Sequence, residues 1–289
     1  MAYEIIVCVK QVPDTENLTG EAMKEDGTVN RAALPAIVNP EDLNALEMAL
    51  RIKDAHGGRV TTVTMGPPAA AEAMRECLYR GADQAVLLTD RRFAASDTLA
   101  TSYVLSCAIR KLPAPDLVLC GRQAIDGDTA QIGPQLAEKL GLPQFTYVEE
   151  VRQISDRSIT VKRVLEHGYE VLRGPLPALL TVTSSANDPR PPSAKRLMKH
   201  KKARAACELG AQATPDRLEE LRRRGLLIEQ WGADEIACDA VSCGGKGSPT
   251  RVKEINFVRL LSEEHKRVEP TKEGIGGLVE ELMREHIFD

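Results

Sequence analysis

The sequence lacks the features that nucleic-acid binding and membrane insertion require. Only 3% of its 289 residues are aromatic, and 38 basic side chains are offset by 42 acidic ones, which gives a formal net charge of −4. Stacking platforms are therefore few, and there is no general positive field for nucleic acid. No apolar run approaches the roughly 20 residues of a membrane-spanning helix. We expect a protein that binds no nucleic acid and does not insert into a membrane.

Patterned cysteines and catalytic motifs are also missing. The seven cysteines are scattered and include no Cys-x-x-Cys pair, which is typical of reduced thiols in a cytoplasmic protein and predicts no metal site. The first apolar run has no basic region before it, so we predict no secretory signal. The five histidines are isolated, and neither a Gly-x-Ser-x-Gly nor a His-Glu-x-x-His motif occurs. We therefore predict no catalytic side chain, and any chemistry would belong to a cofactor.

Strand-like and helix-like segments alternate in the first half of the chain. Strands are predicted at 4–12, 59–65, 84–89 and 116–120, and helices at 42–55, 69–79 and 97–112. This β-α-β alternation predicts an α/β fold, with a mostly parallel twisted sheet and helices on both faces. Residues 13–38 interrupt the pattern as a long excursion or hairpin, with a turn at Asp26-Gly27.

After Gly141 the predicted strands follow one another closely. They lie at 145–154, 158–165, 169–172 and 178–183. We expect them to extend the sheet as antiparallel strands. The proline-rich run 187–193 cannot continue regular structure. We therefore predict one α/β domain over residues 1–190.

The last third of the chain divides into a basic segment and an arm. Residues 191–204 carry a dense positive cluster, which is either a solvated face or a docking segment for an acidic partner. Residues 205–289 show no long strand pattern but include helix candidates at 215–224 and 278–286. The apolar stripe of the second candidate comprises Leu278, Val279, Leu282 and Met283. Since such a stripe must be buried, we predict that residues 205–289 form a C-terminal arm packing on a partner subunit.

The most informative segment is residues 120–133, CGRQAIDGDTAQIG. It leaves a buried strand at 116–120 and enters a helix at 134–140, which Gly141 ends. Backbone N–H groups between the two elements would point at an anion. Ligands of open parallel sheets bind outside the carboxyl ends of the strands, where Cys8, Asn39, Met65 and Gly121 can converge on one crevice.

Two further segments read as helix starts beside this crevice. Asn39-Pro40-Glu41-Asp42 has the composition of a capped first turn, with Asn39 as the N-cap. Ser96 is predicted to cap the next helix, where the hydroxyls of Thr98 and Thr101 can face a second phosphate.

Within 120–133 itself, Asp126 and Asp128 are interpreted as turn formers that accept N–H bonds from the residues after them. Gly127 permits a close backbone approach.

These segments together resemble the beta, or small, subunit of electron-transfer flavoproteins. The most specific match is VKRVLEHGYEVLRGPLPALLT at residues 161–181, where Arg163, Glu170, Leu172 and Pro177 fit that subunit's signature. The 120–133 segment, Asn39-Pro40 and the basic segment match as well. The resemblance covers residues 1–204 closely and the tail more loosely.

The resemblance implies a heterodimer with a larger alpha subunit, an acyl-CoA dehydrogenase-type redox partner, and an adenine-nucleotide site in residues 1–190. The implied cofactor contacts are Cys8, Asn39, Pro40, Glu41, Asp42, Met65, Asp97, Thr98, Thr101, Gly121, Arg122, Gln123, Ala124, Ile125, Asp126, Gly127, Asp128, Thr129, Ala130, Gln131 and Ile132. For Arg122 a surface salt bridge is an equal alternative. The implied partner-recognition residues within 191–204 are Ala194, Lys195, Arg196, Leu197, Met198 and Lys199.

Two branches of this family differ in what the site holds. One binds AMP as a structural ligand, and the other binds a second FAD that accepts hydride from NADH, often for electron bifurcation. Features similar to the second branch are Val29-Asn30-Arg31, Ser96–Thr101, Gly127, Thr129, Ala130 and Gly247–Val252. We therefore expect an electron carrier with FAD bound and NADH as donor. The alternatives are an AMP-binding structural beta subunit and a stand-alone adenine-nucleotide sensor module.

Overall fold

The computed structural model describes residues 2–14, 35–155, 157–251, 267–285 and 287. The chain divides into two compact units, Met1–Arg251 and Val252–Asp289. Several features named from the sequence lie outside the described residues: the turn Asp26-Gly27, the segment Val29-Asn30-Arg31, and the ends of two predicted segments at Val252 and His286.

The first unit contains the strands and all but one of the helices found in these described ranges. The strands are β1 (Tyr3–Cys8), β2 (Gln11–Pro13), β3 (Ala36–Val38), β4 (Gly58–Met65), β5 (Gln84–Leu88), β6 (Leu117–Gly121), β7 (Gln144–Ile154), β8 (Ser158–Leu165), β9 (Gly168–Pro175), β10 (Ala178–Val182) and β11 (Glu229–Trp231). The helices are α1 (Pro40–His56), α2 (Ala71–Arg80), α3 (Thr98–Lys111), α4 (Ile132–Leu140), α5 (Ala194–His200), α6 (Ala206–Leu209) and α7 (Pro215–Arg223). The second unit contains α8 (Lys272–Arg284).

The main sheet has nine strands in the order β11-β5-β4-β1-β6-β10-β7-β8-β9. Every neighbouring pair from β11 to β7 is parallel, and β8 and β9 extend the sheet as antiparallel strands. The predicted α/β class, with a mostly parallel sheet and an antiparallel extension, is confirmed.

Alternating side chains of the central strands supply two apolar cores, one on each face. Leu117 and Leu119 of β6 pack into the core that contains Leu46 of α1. Val118 and Cys120 of the same strand pack into the core that contains Val104 of α3. This period of two follows from the pleat of a strand, which directs successive side chains to opposite faces. Helices therefore cover both faces, as predicted.

The prediction of an antiparallel strand at 178–183 is wrong. Strand β10 lies between β6 and β7 and is parallel to both. All five of its residues, Ala178–Val182, are buried. A short, continuously apolar strand is typical of the interior of a parallel sheet, and that pattern was readable in the sequence. The antiparallel prediction is based instead on the short connection between this strand and the one before it in the sequence.

The two ends of the predicted excursion at 13–38 pair with each other as the strands of a hairpin. Gln11–Pro13 pairs with Ala36–Val38 in a separate two-stranded antiparallel sheet. The hairpin brings the chain back beside β1, because the backbone N–H of Asn39 donates to the carbonyl of Lys10 at 2.8 Å.

The first unit extends beyond the predicted boundaries at residues 190 and 204. Strand β11 pairs with β5 at the edge of the main sheet, and Ile228 and Ala233 are buried in its two cores. Hydrogen bonding to β5 therefore keeps residues up to Arg251 in this unit. The packing of a C-terminal arm on a partner subunit stays a prediction.

Two cysteines depart from the expectation of seven separate reduced thiols. The sulfurs of Cys238 and Cys243 are joined as a disulfide. The other five, Cys8, Cys77, Cys107, Cys120 and Cys207, are free.

Candidate functional site

The candidate site lies where the carboxyl ends of β1 and β6 meet the first turn of α1. Strand β6 ends at Gly121, and the segment 122–131 joins it to α4. We call residues 121–125 the held half of this loop and residues 127–131 its open half. The two halves differ in where their backbone N–H groups go.

Asp42, in the first turn of α1, ties β1 to β6. One carboxylate oxygen accepts the N–H of Gly121 at 2.9 Å, and the other accepts the N–H of Lys10 at 2.8 Å. The residue is only 7% exposed. Burial raises the pKa of Asp42 to about 7, with a smaller contribution from the charge of Glu41, while the hydrogen bonds from Gly121, Lys10 and Asn39 oppose this rise.

Asn39 supports the middle of the held half. Its side-chain amide donates to the carbonyl of Gln123 at 2.9 Å, and its amide oxygen accepts the N–H of Ile125 at 3.1 Å. Asn39 is the N-cap residue of α1, as predicted, but its side chain makes no capping bond. It is fully buried, and the loop backbone has taken the hydrogen bonds that a cap would use.

Glu41 completes the support of the held half. Its carboxylate accepts the N–H of Gln123 at 2.9 Å and forms an ion pair of 3.0 Å with Arg122. Arg122 therefore has the salt bridge that the sequence left as an alternative to a cofactor contact. Its side chain keeps 35% of its surface exposed, and its guanidinium lies 6.0 Å from the ring centroid of Tyr147.

Asp126 and Asp128 do not cap the residues that follow them. Asp126 forms an ion pair of 2.7 Å with the ammonium of Lys10. Asp128 accepts from the side-chain amide of Gln123 at 3.0 Å. The predicted capping role is therefore wrong for both, because the side chains of Lys10 and Gln123 donate to these carboxylates instead.

Three backbone donors of the open half have no acceptor in the described structure, while the N–H groups of Gly127 and Asp128 donate to the carbonyl of Ala124. Within the described part of the chain, the N–H groups of Thr129, Ala130 and Gln131 have no hydrogen-bond partner. Asp128 and Ala130 adopt left-handed backbone angles, with φ of 47° and 51°. Such angles cost energy in residues other than glycine and are concentrated at functional sites. A Cβ added at Gly127 would meet no atom within 4 Å, so this half is open to a ligand.

The beginning of α3 lies beside the open half. The hydroxyl of Thr98 donates to the side-chain oxygen of Gln131 at 2.7 Å and accepts from Gln135 at 3.3 Å. Thr98 and Thr101 are half-buried. Two helix N-termini, those of α3 and α4, are thus joined by a polar side-chain network.

Asp97, rather than Ser96, caps α3. Its carboxylate accepts the N–H of Ala100 at 3.0 Å, while Ser96 donates to the carbonyl of Phe93. The other carboxylate oxygen accepts the N–H and the hydroxyl of Thr250, and Ser248 accepts the N–H of Asp97. Asp97 therefore fixes the segment 248–250 on the start of α3.

The remaining predicted contacts lie at the ends of neighbouring strands. Cys8 ends β1 and is buried, which raises the pKa of its thiol to about 12. Met65 ends β4 and is half-buried, as is Pro40 at the first position of α1. The thiol of Cys8 is therefore protonated and unreactive at neutral pH.

The predicted recognition residues form most of helix α5, which packs against α2. Leu197 and Met198 are 37% and 60% exposed, and Lys195 and Lys199 are also exposed. His200, at the end of this helix, is buried, which lowers its pKa together with the charges of Lys199 and Arg196.

The sequence missed three kinds of residue at this site. Lys10 contributes both a backbone donor and an ion pair, Ser248 and Thr250 fix the start of α3, and Gln135 joins α3 to α4. Ser248 and Thr250 lie in the segment Gly247–Val252, which is singled out above for its similarity to the FAD-binding branch, although no bond to the start of α3 is predicted for them. Lys10 lies inside the predicted strand 4–12 and two residues after the end of β1, at the edge of the sheet where ligands bind.

The described residues contain no group of His, Cys, Asp and Glu side chains that could hold a metal ion. In the same ranges no helix has the length and apolarity needed to cross a membrane.

Comparison with known proteins identifies close relatives. Residues 26–207 match the electron transfer flavoprotein domain. The chain is 42% identical over 282 residues to the electron transfer flavoprotein subunit beta of Clostridium acetobutylicum, with 98% of each chain covered. It is 45% identical over 249 residues to the caffeyl-CoA reductase-Etf complex subunit CarD of Acetobacterium woodii, covering 86% of this chain and 85% of that one. It is 40% identical over 294 residues to the acryloyl-CoA reductase electron transfer subunit gamma of Anaerotignum propionicum, covering 98% and 99%.

Proposed function

Because the chain belongs to the electron transfer flavoprotein family, with beta subunits among its close relatives, we propose that it pairs with an alpha subunit and binds FAD at the β6–α4 loop. In this proposal NADH is the electron donor, and the electrons pass to an acyl-CoA dehydrogenase-type or CoA-reductase-type partner, with bifurcation between two paths as one form of the reaction. The heterodimer would work in the cytoplasm.

The observation that carries the choice of FAD is the pair of helix N-termini at the open half. Free backbone N–H groups at Thr129–Gln131 favour one phosphate, since a helix N-terminus and its preceding turn attract anions. The neighbouring start of α3 is joined to Gln131 through Thr98, and we assign a second phosphate to it. Two such positions side by side suit the diphosphate of FAD better than the single phosphate of AMP.

Different residues of the site would bind different parts of the cofactor. We assign the adenosine to the strand ends at Cys8 and Met65 and to the held half with Asn39 and Pro40. We assign the pyrophosphate to the open half, with Thr98, Thr101 and Thr129. When bound, FAD supplies the hydride and electron chemistry; the protein binds it, orients it and excludes water. No side chain of this site is proposed as an acid, base or nucleophile.

One observation favours the AMP-binding alternative. The carboxylate of Asp97 already caps α3, and its negative charge would repel a second phosphate placed there. In that case the chain would be a structural beta subunit, and FAD would be held by the alpha subunit.

The remaining regions would bind the redox partner and the alpha subunit. We propose residues 1–190 as the nucleotide domain and 191–204, including Ala194–Lys199, as the recognition segment for the redox partner. Residues 205–289 would include the arm that packs on the alpha subunit. The names of relatives as subunits of caffeyl-CoA and acryloyl-CoA reductase systems support a CoA-ester reductase as one such partner.

The deciding experiment is a cofactor count on the heterodimer. The chain would be co-expressed with the alpha subunit of a relative, and FAD and AMP would be extracted and quantified. Two FAD per heterodimer with reduction by NADH supports the proposal, whereas one FAD and one AMP rejects it in favour of the structural subunit. A stable monomer that binds nucleotide and ignores the alpha subunit would instead indicate the sensor module.

A further inference from the structure

We propose that Glu41 and Asp42 are positioning residues that hold the β6–α4 loop in its ligand-binding shape and do not themselves touch the nucleotide. This inference rests on the proposed nucleotide site and changes the role of two residues assigned to it as cofactor contacts.

The first argument is that the polar atoms of both side chains are already used. Each carboxylate oxygen of Asp42 accepts a backbone N–H, one from Lys10, two residues after β1, and one from Gly121 at the end of β6. One oxygen of Glu41 accepts the N–H of Gln123, and the other pairs with Arg122. Both residues are buried, at 6% and 7% exposure. A nucleotide would have to displace these bonds to reach either carboxylate.

The second argument is electrostatic. The carboxyl of Asp42 is buried beside Glu41 and has no cationic partner among the described residues, so a negative charge on it repels a phosphate. The acidic residues therefore belong under the loop, on the side of the held half. The phosphate belongs at the open half, where the backbone donors have no acceptor.

The third argument is the close packing between α1 and the loop. A Cβ added at Gly121 would lie 2.6 Å from a carboxylate oxygen of Asp42 and 2.8 Å from its backbone nitrogen. The first turn of α1 is thus in direct contact with the loop backbone. This contact leaves no space for a ligand between Asp42 and Gly121.

The same two strands supply a matched control at their other ends. The carboxylate of Asp116, which precedes β6, accepts the N–H of Glu4 in β1 at 2.8 Å. Asp116 therefore makes the same kind of bond between the same strands, at the edge of the sheet away from the loop. A substitution of Asp116 measures how much stability is lost when a carboxylate that joins these two strands is removed.

The experiment compares Asp42→Asn, Glu41→Gln and Asp116→Asn in the full-length chain. Each protein would be titrated with AMP and with ADP, and amide hydrogen exchange would be measured at residues 121, 123 and 125. In Asp42→Asn the amide NH2 faces one of the two backbone donors, so we expect affinity for both nucleotides to fall about tenfold, with their ratio unchanged. Exchange in the held half should become faster.

The other variants separate positioning from general destabilisation. Glu41→Gln keeps an acceptor for the N–H of Gln123 and should retain most of the wild-type affinity. Asp116→Asn should lower the melting temperature without changing either affinity or the exchange of the held half.

Two results would overturn the assignment. One is Asp42→Asn with unchanged affinity and exchange, and the other is a change in the AMP-to-ADP affinity ratio, which indicates a direct ligand contact. If the wild-type chain by itself binds neither nucleotide, the cofactor count on the heterodimer decides the proposed function, and faster exchange at 121–125 in Asp42→Asn would still support the positioning role.

Discussion

The held and open halves of the β6–α4 loop differ in how their backbone is satisfied. In residues 121–125, the N–H groups of Gly121 and Gln123 donate to side chains of the first turn of α1, and that of Ile125 donates to the N-cap residue Asn39. In residues 127–131, the N–H groups of Thr129, Ala130 and Gln131 find no acceptor in the described structure. One loop therefore combines a fixed base with donors left for a ligand, which is the arrangement that preorganised binding requires.

The two glycines of the loop express the same difference. Gly121 is needed because a side chain would collide with α1, whereas Gly127 faces open space. The first glycine serves the packing of the protein, and the second leaves a path for a ligand. Each of the following predictions tests this distinction.

The largest effect is expected from Gly121→Ala. Its Cβ would lie within 2.8 Å of Asp42 and Glu41 atoms, so α1 or the loop must shift, at a cost of about 3 kcal/mol in the free energy of unfolding. Nucleotide affinity should fall as well. Denaturant unfolding measures the cost, and Gly127→Ala in the same loop is the control, with little change expected. Equal stability of the two variants would contradict the comparison.

Asn39→Ala should have the next largest effect. It removes the partners of the Gln123 carbonyl and the Ile125 N–H, which leaves two groups of the held half unpaired and costs about 2 kcal/mol. Thermal unfolding and nucleotide titration would both report the loss. A variant that loses affinity without losing stability would show that Asn39 contributes through the nucleotide alone and does not support the loop.

The pH dependence of stability tests the burial of Asp42. Its pKa in the folded protein is raised to about 7 from an ordinary value of 3.8. The folded state therefore keeps a proton that the unfolded state loses, and the contribution of Asp42 to stability falls as pH rises from about 4 to about 7. The groups around its carboxylate are Glu41, Cys8 and the donors from Asn39, Lys10 and Gly121.

To measure this, the free energy of unfolding of the wild type would be compared with that of Asp42→Asn across this pH range. The difference, wild type minus variant, should decrease with rising pH. A constant difference would mean that Asp42 titrates near its ordinary pKa.

Gly127→Val should separate binding from stability. Because no protein atom lies within 4 Å of the new Cβ, the free energy of unfolding should change by about 0.5 kcal/mol or less. The side chain would block the approach of a nucleotide, so the nucleotide content of the purified heterodimer should fall. Unchanged content in a folded heterodimer would remove the open half from the site.

The smallest effect is expected from Lys10→Ala. It breaks an ion pair with Asp126 in which the lysine side chain is 48% exposed, and such pairs contribute about 0.5 kcal/mol. The backbone N–H of Lys10 still donates to Asp42 in this variant. The small loss of stability should disappear at high salt, and a loss that persists there would indicate a packing role for the lysine stem.

The sequence predicted the elements of this fold well where one local pattern decided them. The alternation of apolar runs with helical patterns placed the parallel strands and their helices, and Gly141 ends α4 in a left-handed conformation, with φ of 67°. Prediction failed for β10, because the choice of strand partner depends on pairing with β6, which lies far away along the chain.

The same limit applies to the site. The sequence identified residues 39–42 and 120–133 as one region, and the family resemblance extended it to the start of α3. The sequence could not indicate that Asn39, Glu41 and Asp42 form hydrogen bonds with the loop backbone, since their partners lie about 80 residues away along the chain. The sequence also assigned the cap of α3 to Ser96. In the structure the carboxylate of Asp97 is the cap, because it accepts the N–H of Ala100 and also that of Thr250.

The sequence by itself determined the α/β class, the family and the position of the β6–α4 loop, because periodicity, glycine turns and motifs are local and need no knowledge of packing. The tertiary structure alone decided which half of the loop is held and which is open. That division depends on which buried carboxylates and amides reach which backbone N–H groups, and a buried polar group takes whichever partner the fold brings within hydrogen-bonding distance.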